Sequence, residues 1–251
     1  MLLQDTLIKN TKLAAMMKDS FDPATSGLKS LDEITGKFHP KEVIIVTSFD
    51  QITRTDFINN IALKNSVNLK IPVVIFSSEM ALEDASKKVL YCMDLCQITP
   101  KGTPLYVEEV GILNTAGLRD RVIELKRSSG IEIVIINSID FIYRFLPSEN
   151  EQRSIKLYEF TREMKVLAEE LDIVVIMTAS TVNDVRLAVE DTAADPLADM
   201  IINIRMMESS EYNNRLKITV RNNLIKKTSS LIVKYNRQYD TFHDIDEDNK
   251  I

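Results

Sequence analysis

Short apolar runs rich in Val and Ile alternate along the chain with longer segments in which apolar residues recur at helical spacing. The runs predict buried strands, and the periodic segments predict helices that pack by one face. This alternation predicts an α/β fold with a mainly parallel central sheet flanked by helices on both faces. The predicted strands are 43–46, 71–77, 105–107, 131–136 and 173–177, and the predicted helices are 2–18, one beginning near Thr53, 82–95, 114–128 and 151–171.

The last part of the chain has a different pattern. Apolar and polar residues alternate more regularly in three segments, 200–206, 216–220 and 230–235, which are separated by polar turns. This pattern predicts antiparallel strands at the C-terminal edge of the sheet. We interpret Lys226 and Lys227, at one of these turns, as charges that protect a sheet edge.

Three segments are predicted from these boundaries: a helical arm at 1–19, one domain at 20–245 and an acidic tail at 246–251. Pro23 ends the first helix, because proline disfavours helix in the residue before it. The arm is either a cap that packs on its own domain or a segment that reaches a neighbouring chain.

Composition narrows the functional classes. The chain has 251 residues, 45% of them hydrophobic, and a net charge of −6, which argues against a uniformly basic nucleic-acid binder but allows a local basic channel. The chain has two cysteines, Cys92 and Cys96, and two histidines, His39 and His243, which is too few well-placed ligands for a plausible zinc site. We therefore interpret the cysteines as packing residues of a protein in a reducing compartment. Without a signal peptide or an apolar run of membrane-spanning length, the sequence predicts a cytoplasmic protein with no membrane partner.

The stretch 43–63 predicts a strand, a polar loop and a helix, which is the setting of a phosphate-binding loop. The usual pattern there is G-x-x-x-x-G-K-[ST]. In that register this chain has Ser48 and Thr53 at the glycines, Arg54 at the lysine and Thr55 at the hydroxyl position. The order of elements fits a nucleotide-binding site, but of the side chains that contact the nucleotide only a cation, Arg54, and a hydroxyl, Thr55, are kept in type.

Several ungapped blocks resemble the RecA-like C-terminal motor domain of DnaB-type replicative DNA helicases. In chain order they are TSGLKSLDEITGKFHPKEVIIV, INNIAL, PVVIFSSEM, PLYVEEVGILNTAGLRDRVIELKRSSGIEIVIIN, REMKVLAEELDIVVIM and LADMIINI. The likeness covers about residues 20 to 245 and implies a RecA-like, P-loop-type fold and a role in DNA replication. It also implies that the first eighteen residues correspond to the linker helix, which in this family docks on the adjacent subunit of a ring.

The resemblance assigns roles to individual positions. It implies that Thr55 would hold Mg²⁺, that Glu79 is the glutamate that polarises the attacking water, and that Arg221 is the arginine finger supplied to a neighbour's site. Glu79 is equally well explained as a carboxylate at the start of a helix, where the helix dipole favours it.

Other positions depart from the family. Arg54 is bulkier and planar compared with the family's lysine, and Thr53 is β-branched where a glycine is expected. Asn137 occupies the position of the family's aspartate, which orients the ligands of Mg²⁺, so one full negative charge is missing there. Asp140 lies three residues further on, and strand alternation is expected to direct its side chain elsewhere. Ser180 replaces the glutamine that couples the γ-phosphate to the DNA loops, and Thr219 replaces the lysine that accompanies the finger.

Since phosphoryl transfer is catalysed almost wholly by positioning and charge, these losses predict a domain without ATP turnover. We therefore expect a structural or regulatory component of a replication or helicase assembly, with no cofactor. The alternative is a divergent active DNA helicase that binds ATP and Mg²⁺ through Arg54 and Thr55 and uses Glu79 and, from a neighbour, Arg221. A RecA-fold regulator of recombination or a clock-type ATPase is less favoured, because the LDEIT and FSSEM blocks favour the helicase branch.

The family lines its central channel with two DNA-binding loops, which correspond here to 143–153 and to about 181–186. Four cations in or near them are candidate phosphate contacts, namely Arg144, Arg153, Lys156 and Arg186. Scattered cations are more typical of a solvated surface, so we expect single-stranded DNA to bind weakly at most. The expected partners are helicase-type subunits, either further copies or a related replicative helicase, reached through the N-terminal helix and the protomer surface.

Overall fold

The computed structural model describes residues 23–78, 81–95, 97–110, 115–143, 150–180, 197–207 and 214–245. The predicted arm at 1–19 and the acidic tail at 246–251 lie outside these ranges, so both segment boundaries stay predictions. Side chains at 141, 143, 150–154 and 180 are also not described.

The described residues form one nine-stranded sheet in the order β3-β2-β4-β5-β1-β6-β7-β8-β9. Strands β1 to β6 pair in parallel, whereas β7, β8 and β9 are antiparallel additions at one edge. The predicted α/β architecture, with antiparallel strands at the C-terminal edge, is therefore confirmed. The strands are β1 Val43–Ser48, β2 Val73–Ser77, β3 Leu105–Glu109, β4 Ile133–Asn137, β5 Val174–Ser180, β6 Met200–Met206, β7 Arg215–Asn222, β8 Lys227–Asn236 and β9 Thr241–Asp244.

In the described part of the chain, five α-helices cover the sheet: α1 Lys29–Thr35, α2 Gln51–Leu63, α3 Leu82–Leu95, α4 Thr115–Ser129 and α5 Asn150–Leu171. A π-helical segment, Lys64–Leu69, continues α2, and a 3₁₀ helix spans Ile139–Tyr143. The sequence pattern did not predict α1 or β9. Within the described ranges, no helix combines the length and the apolar character needed to cross a bilayer.

Two apolar layers lie on opposite faces of the sheet. In β1, Ile44 and Val46 belong to the layer packed against α2, whereas Val43 and Ile45 belong to the layer packed against α4 and α5. Successive residues of a strand point to opposite faces, so a strand buried on both sides reads as a continuous apolar run. This is why the short runs were reliable strand signals. The inner face of α5 is buried at Leu157, Phe160, Met164 and Leu167.

The direction of the strands separates two ends of the sheet. The carboxyl ends of β1, β2, β4 and β5 lie side by side, with Ser48 paired with Ser180 and Ser77 paired with Asn137. Strand β7 runs back along β6, so that Asn222 pairs with Met200 at the start of β6. The turn between β7 and β8 is therefore at the opposite end from the β1–α2 connection. The sequence-predicted nucleotide positions on β1, α2, β4 and β5 converge at the carboxyl end.

Candidate functional site

The connection between β1 and α2 is shorter than a phosphate-binding loop. Strand β1 ends at Ser48 and α2 begins at Gln51, which leaves only Phe49 and Asp50 between them. We predicted the helix to begin near Thr53, but it begins two residues earlier. Positions that should supply free loop amides to a phosphate therefore lie in the first turn of a helix.

Asp50 caps this helix. Its backbone is extended, with φ −87° and ψ 117°, and its Oδ2 accepts a hydrogen bond of 2.9 Å from the amide of Thr53 and another from the Thr53 hydroxyl. The Asp50 carbonyl accepts from the amide of Arg54 at 3.1 Å. Such amides at a helix N-terminus are the donors that bind a phosphate in nucleotide sites. Here the chain satisfies two of them with its own aspartate.

Asp50 is negatively charged at neutral pH. Partial burial by itself raises the pKa of Asp50, but the hydrogen bonds from Thr53 and from the amide of Ile52, with the positive charge of Arg237, outweigh it. The pKa of Asp50 therefore lies below its ordinary value. The carboxylate also benefits from the helix dipole, which favours an anion at this end. A phosphate approaching the helix N-terminus would meet a like charge already bound there.

Arg54 is directed into the protein and only 1% of its surface is exposed. Its Nη1 donates to the carbonyl of Ser48 at 3.2 Å and to the carbonyl of Ala179 at 3.4 Å. These carbonyls belong to the neighbouring strands β1 and β5, so the guanidinium lies across their carboxyl ends. The cation at the family's lysine position therefore holds two strands together.

Thr55 takes part in a buried chain of neutral hydrogen bonds. Nδ2 of Asn137 donates to the Thr55 hydroxyl at 3.3 Å, and the hydroxyl of Thr178 donates to Oδ1 of Asn137 at 2.8 Å. All three residues are buried, and they connect α2, β4 and β5. The threonine oxygen that would bind Mg²⁺ thus accepts a hydrogen bond from Asn137, whose side chain is an amide and not a carboxylate.

Mg²⁺ binds through oxygen ligands and commonly one or two carboxylates. Among the described residues, no group of three or more His, Cys, Asp or Glu is arranged to hold a metal ion. Thr55 and Asn137 therefore offer a hydroxyl and an amide, and no carboxylate, to a magnesium–triphosphate complex.

Asp140 belongs to a separate set of hydrogen bonds next to β4. It accepts from the hydroxyl of Ser138 at 2.6 Å, and the amide of Ser138 in turn donates to the hydroxyl of Ser78 at 2.9 Å. These bonds join the ends of β2 and β4. Asp140 thus pairs with Ser138, the residue that directly follows β4. Sequence analysis missed Ser78 and Ser138, although each directly follows the last residue of a strand in the structure, β2 and β4 respectively.

The remaining predicted nucleotide residues are only partly described. Glu79 lies outside the described residues, so its catalytic role stays a prediction. Ser180 is the last residue of β5, and its side chain is not described. Arg221 is on β7, where it pairs with Ile201 and Thr228 near the end of the sheet opposite Thr55.

Because Arg221 lies at the opposite end of the sheet from Thr55, it could contact only a nucleotide bound to a neighbouring chain. Thr219, at the position of the family's second finger cation, contacts the hydroxyl of Ser230 at 3.1 Å.

Of the four predicted DNA contacts, Lys156 is the one whose side chain is described. Lys156 lies 3.4 Å from Glu159 in an exposed ion pair, an arrangement that contributes little energy. Arg144 and Arg186 lie outside the described residues, and the side chain of Arg153 is not described. The DNA-binding roles of all four cations stay predictions.

Lys226 and Lys227 lie at the turn between β7 and β8. Strand β9 pairs only with Val233–Asn236 of β8, so among the described strands the first part of β8, from Lys227 to Ile232, has β7 alone as its neighbour. The interpretation of the two lysines as charges that protect a sheet edge agrees with this pairing.

Comparison with known proteins places this arrangement in a family. The model of the DnaB-like helicase C terminal domain matches residues 24–100 and 94–243. These matches include the β1–α2 connection, the Thr55–Asn137–Thr178 chain and the antiparallel strands. The chain belongs to this family. The RecA-like, DnaB-type resemblance found in the sequence is thereby confirmed.

Replicative helicases are among the relatives of this DnaB-like domain. It is 25% identical over 185 residues to the replicative DNA helicase DnaB of Leifsonia xyli subsp. xyli, covering 65% of this chain and 40% of that protein. It is 24% identical over 172 residues to DnaB of Geobacillus stearothermophilus, covering 60% of this chain and 38% of that protein. The matched part thus spans about two fifths of the length of these curated relatives.

Solved structures support the same fold. The ATPase domain of G40P superimposes with a TM-score of 0.77 at 15% identity, covering 98% of this chain and 99% of that one. A DnaB-like replicative helicase, solved in a study of its interactions with primase, gives a TM-score of 0.75 at 16% identity and covers 98% of this chain and 67% of that one. At these identities the likeness concerns the fold of the DnaB-like domain.

Proposed function

We propose that this DnaB-like domain serves DNA replication as a structural or regulatory component of a helicase assembly and does not hydrolyse ATP. Family membership supports the replication context. The observation that supports inactivity is the β1–α2 connection, where Asp50 occupies the helix N-terminus and Arg54 is buried against Ser48 and Ala179.

An energetic comparison supports the same conclusion. To bind a triphosphate in the family's manner, the protein must remove Asp50 from its cap, break the buried hydrogen bonds of Arg54 and leave Mg²⁺ without a carboxylate at Asn137. The first two changes each cost about 1–3 kcal/mol. Ligands with millimolar to micromolar dissociation constants bind with only about 4–8 kcal/mol. The summed cost of these changes is therefore comparable to most of the binding free energy that an ordinary nucleotide site provides.

The proposed partners are helicase-type subunits, either further copies of this chain or a related replicative helicase. The likeness to a DnaB-like replicative helicase studied with primase supports a place in such an assembly. We propose at most weak binding of single-stranded DNA, because Lys156 is paired with Glu159 on the surface.

Calorimetry and turnover assays test the proposal. The purified full chain is titrated with a non-hydrolysable ATP analogue and Mg²⁺, and ATP hydrolysis is measured with and without single-stranded DNA. We expect no binding heat and no turnover. ATP turnover that Glu79→Gln abolishes would overturn the proposal in favour of an active helicase.

A pair of variants tests whether Asp50 blocks the anion site. Asp50→Gly removes the carboxylate but keeps a residue tolerated at a helix cap, so we expect measurable binding of the analogue or of pyrophosphate without turnover. Asp120→Ala removes an exposed carboxylate on α4 and should bind neither ligand. Equal behaviour of the two variants would show that Asp50 is not what excludes the anion.

A further inference from the structure

One edge of the sheet is open and apolar. Strand β3, Leu105–Glu109, pairs with β2 on one side, and no other described strand lies on its other side. Strands at an edge are usually short or carry lysine, which keeps other chains from pairing with them. The first part of β8 follows this rule with Lys226 and Lys227, and β9 has only four residues. Strand β3 instead begins with the sequence Leu-Tyr-Val and contains no lysine.

The pairing with β2 identifies the backbone groups on the outer side of β3. The carbonyl of Pro104 accepts a hydrogen bond from the amide of Val73 at 2.9 Å. The amide of Val110 donates to the carbonyl of Ser77, also at 2.9 Å. Successive residues of a strand direct their backbone groups to opposite sides, so the even-numbered residues of this segment face β2 and the odd-numbered ones face outwards. The amide and carbonyl of Val107 therefore point away from the sheet, and no hydrogen bond among the described residues uses them.

An apolar groove of about 260 Å³ lies beside this edge, between β3 and α3. Leu105 and Val107 line it on one side, and Val89, Leu90 and Met93 of α3 line it on the other. Small-molecule pockets commonly measure about 300–1,000 Å³, so this groove suits a few aliphatic side chains better than a whole ligand. Exposed backbone groups next to such a groove are the arrangement with which proteins bind an extended peptide as an added strand.

The carboxyl end of the groove is acidic. Glu109 is exposed, and it belongs to the same alternating set as Val107, so its side chain lies on the groove side of β3. Helix α3 follows the carboxyl end of β2, the end paired with Glu109, and begins with Glu83 and Asp84. Lys87 balances one of these two charges. A cationic partner therefore fits this end, whereas a second copy of β3, which has two glutamates and no cation, does not.

We propose that the β3 edge binds an extended segment of a partner protein, with a basic residue opposite Glu109 and apolar side chains at the second and fourth positions after it. The segment runs antiparallel to β3, because antiparallel pairing is the more stable kind per residue. Residues directly opposite each other share a face of the sheet, so the two apolar side chains lie in the groove opposite Val107 and Leu105. Strands β2, β4 and β5 separate this edge from β1, so the inference does not rest on the proposed lack of ATP hydrolysis.

Fluorescence anisotropy with the synthetic peptide Arg-Thr-Val-Thr-Val-Thr, acetylated at its N-terminus and labelled at its C-terminus, tests the proposal. The full chain should bind it with a dissociation constant in the micromolar range. N-methylation of the first valine removes the amide that pairs with Val107 and should weaken binding about tenfold. N-methylation of the threonine between the valines, whose amide points away from β3, should change the affinity by less than about twofold.

Variants of the chain test the same contact. Val107→Pro removes an outward amide at a position where an edge strand tolerates proline, and should weaken binding about tenfold. Glu109→Lys should weaken it about threefold or more, and a peptide with Glu in place of Arg should bind this variant better than the wild type. The control Glu163→Lys, at an exposed position on α5, should bind like the wild type. Circular dichroism confirms that the variants fold.

Failure of the wild-type chain to bind the peptide would overturn the proposal. Equal effects of the two N-methyl groups would overturn it as well, because side chains would then enter the groove without strand pairing, as those of a helix do. If sedimentation velocity showed that the peptide dissociates dimers of the chain, the occupant of the edge would be a second copy and the proposed partner would be wrong. ATP turnover bears on the proposed function alone, so failure of one proposal is distinguished from failure of the other.

Discussion

At the scale of single residues, Arg54 shows how the fold accommodates a buried cation at the family's lysine position. Burying an isolated charge is costly unless hydrogen bonds compensate for the lost water. Arg54 meets part of this requirement through Nη1, which donates to the carbonyls of Ser48 and Ala179. Its planar head carries several donors that can bridge two strand ends at once, which a lysine ammonium does less well. The substitution of lysine by arginine is therefore accounted for by a structural role.

Arg54→Ala should lower the free energy of unfolding by about 2–4 kcal/mol, because it leaves a cavity between the strand ends and removes two buried hydrogen bonds. Urea unfolding followed by circular dichroism measures the change. Arg162→Ala, which removes an exposed arginine from α5, should stay within about 0.5 kcal/mol of the wild type. A cost below about 1 kcal/mol for Arg54→Ala would show that this side chain does not hold the strands together.

Asp50 gives a prediction on pH dependence. Since the folded protein lowers the pKa of Asp50, its carboxylate contributes stability above the unfolded pKa of about 3.9, and this contribution is lost as the pH falls through the folded pKa. Asp50→Asn keeps a good helix cap but does not titrate. The stability of wild type relative to this variant should therefore decrease below about pH 4.

Urea unfolding at a series of pH values measures the difference between wild type and Asp50→Asn. The same substitution at the exposed Asp120 on α4 controls for the loss of a surface charge. A difference between wild type and Asp50→Asn that does not change with pH would contradict the capping role of the ionised carboxylate.

At the scale of elements, α2 is unusual because much of its inner face is polar. Asp56 is completely buried and lies 3.0 Å from Lys88 on α3, which also contacts Asp240 at 2.5 Å. The hydroxyl of Tyr235 on β8 donates to Asp56 as well. This cluster joins α2, α3, β8 and the turn before β9. It fixes the helix whose N-terminus forms the candidate site.

Lys88→Met should destabilise the protein by about 3–5 kcal/mol at neutral pH, because it leaves the buried Asp56 without its cation. Burial raises the pKa of Asp56, so the folded protein takes up a proton there more readily than the unfolded chain. The deficit of the variant should therefore shrink as the pH falls towards the pKa of Asp56.

The control for this prediction is Lys87→Met, which removes a neighbouring lysine that pairs with Glu83 on the surface. Its unfolding free energy should stay within about 0.5 kcal/mol of the wild type at every pH tested. Similar losses in the two variants, measured by urea unfolding, would mean that the cluster around Asp56 does not depend on Lys88.

The sequence predicted the elements whose burial produces a clear local pattern of apolar residues. Strands buried on both faces gave apolar runs, and α5 gave a clear apolar stripe, so both were found with small errors in their ends. The start of α2 was placed too late, because its first two turns bury Thr53, Arg54 and Thr55 and show no apolar period. The orientation of Arg54 depends on the carbonyl of Ala179, 125 residues away in the chain, and no local pattern reports such a contact.

At the scale of the whole molecule, the first and last described elements stabilise each other. Helix α1 begins after Leu28, which provides no side-chain cap. Asp244, at the end of β9, accepts hydrogen bonds from the amides of Lys29 at 2.8 Å and Ser30 at 3.2 Å. The cap is thus supplied from 215 residues away. This explains why the sequence showed neither α1 nor β9, since each is short and depends on the other.

Asp244→Ala should lower the free energy of unfolding by about 1 kcal/mol, the usual cost of a lost cap. The loss should be local as well, because α1 has only seven residues and no other cap at its start. Hydrogen exchange should therefore accelerate at the amides of Asp32 and Gly36, which close the turns of α1, more than in β4 at the centre of the sheet. Glu33→Ala, which removes only an exposed partner of Lys29, should leave both rates unchanged. If Asp244→Ala changed neither rate, the buried Leu31 and the hydrogen bonds of Asp32 with Thr25 and Ser26 would hold α1 without the cap, and the two ends of the domain would be independent.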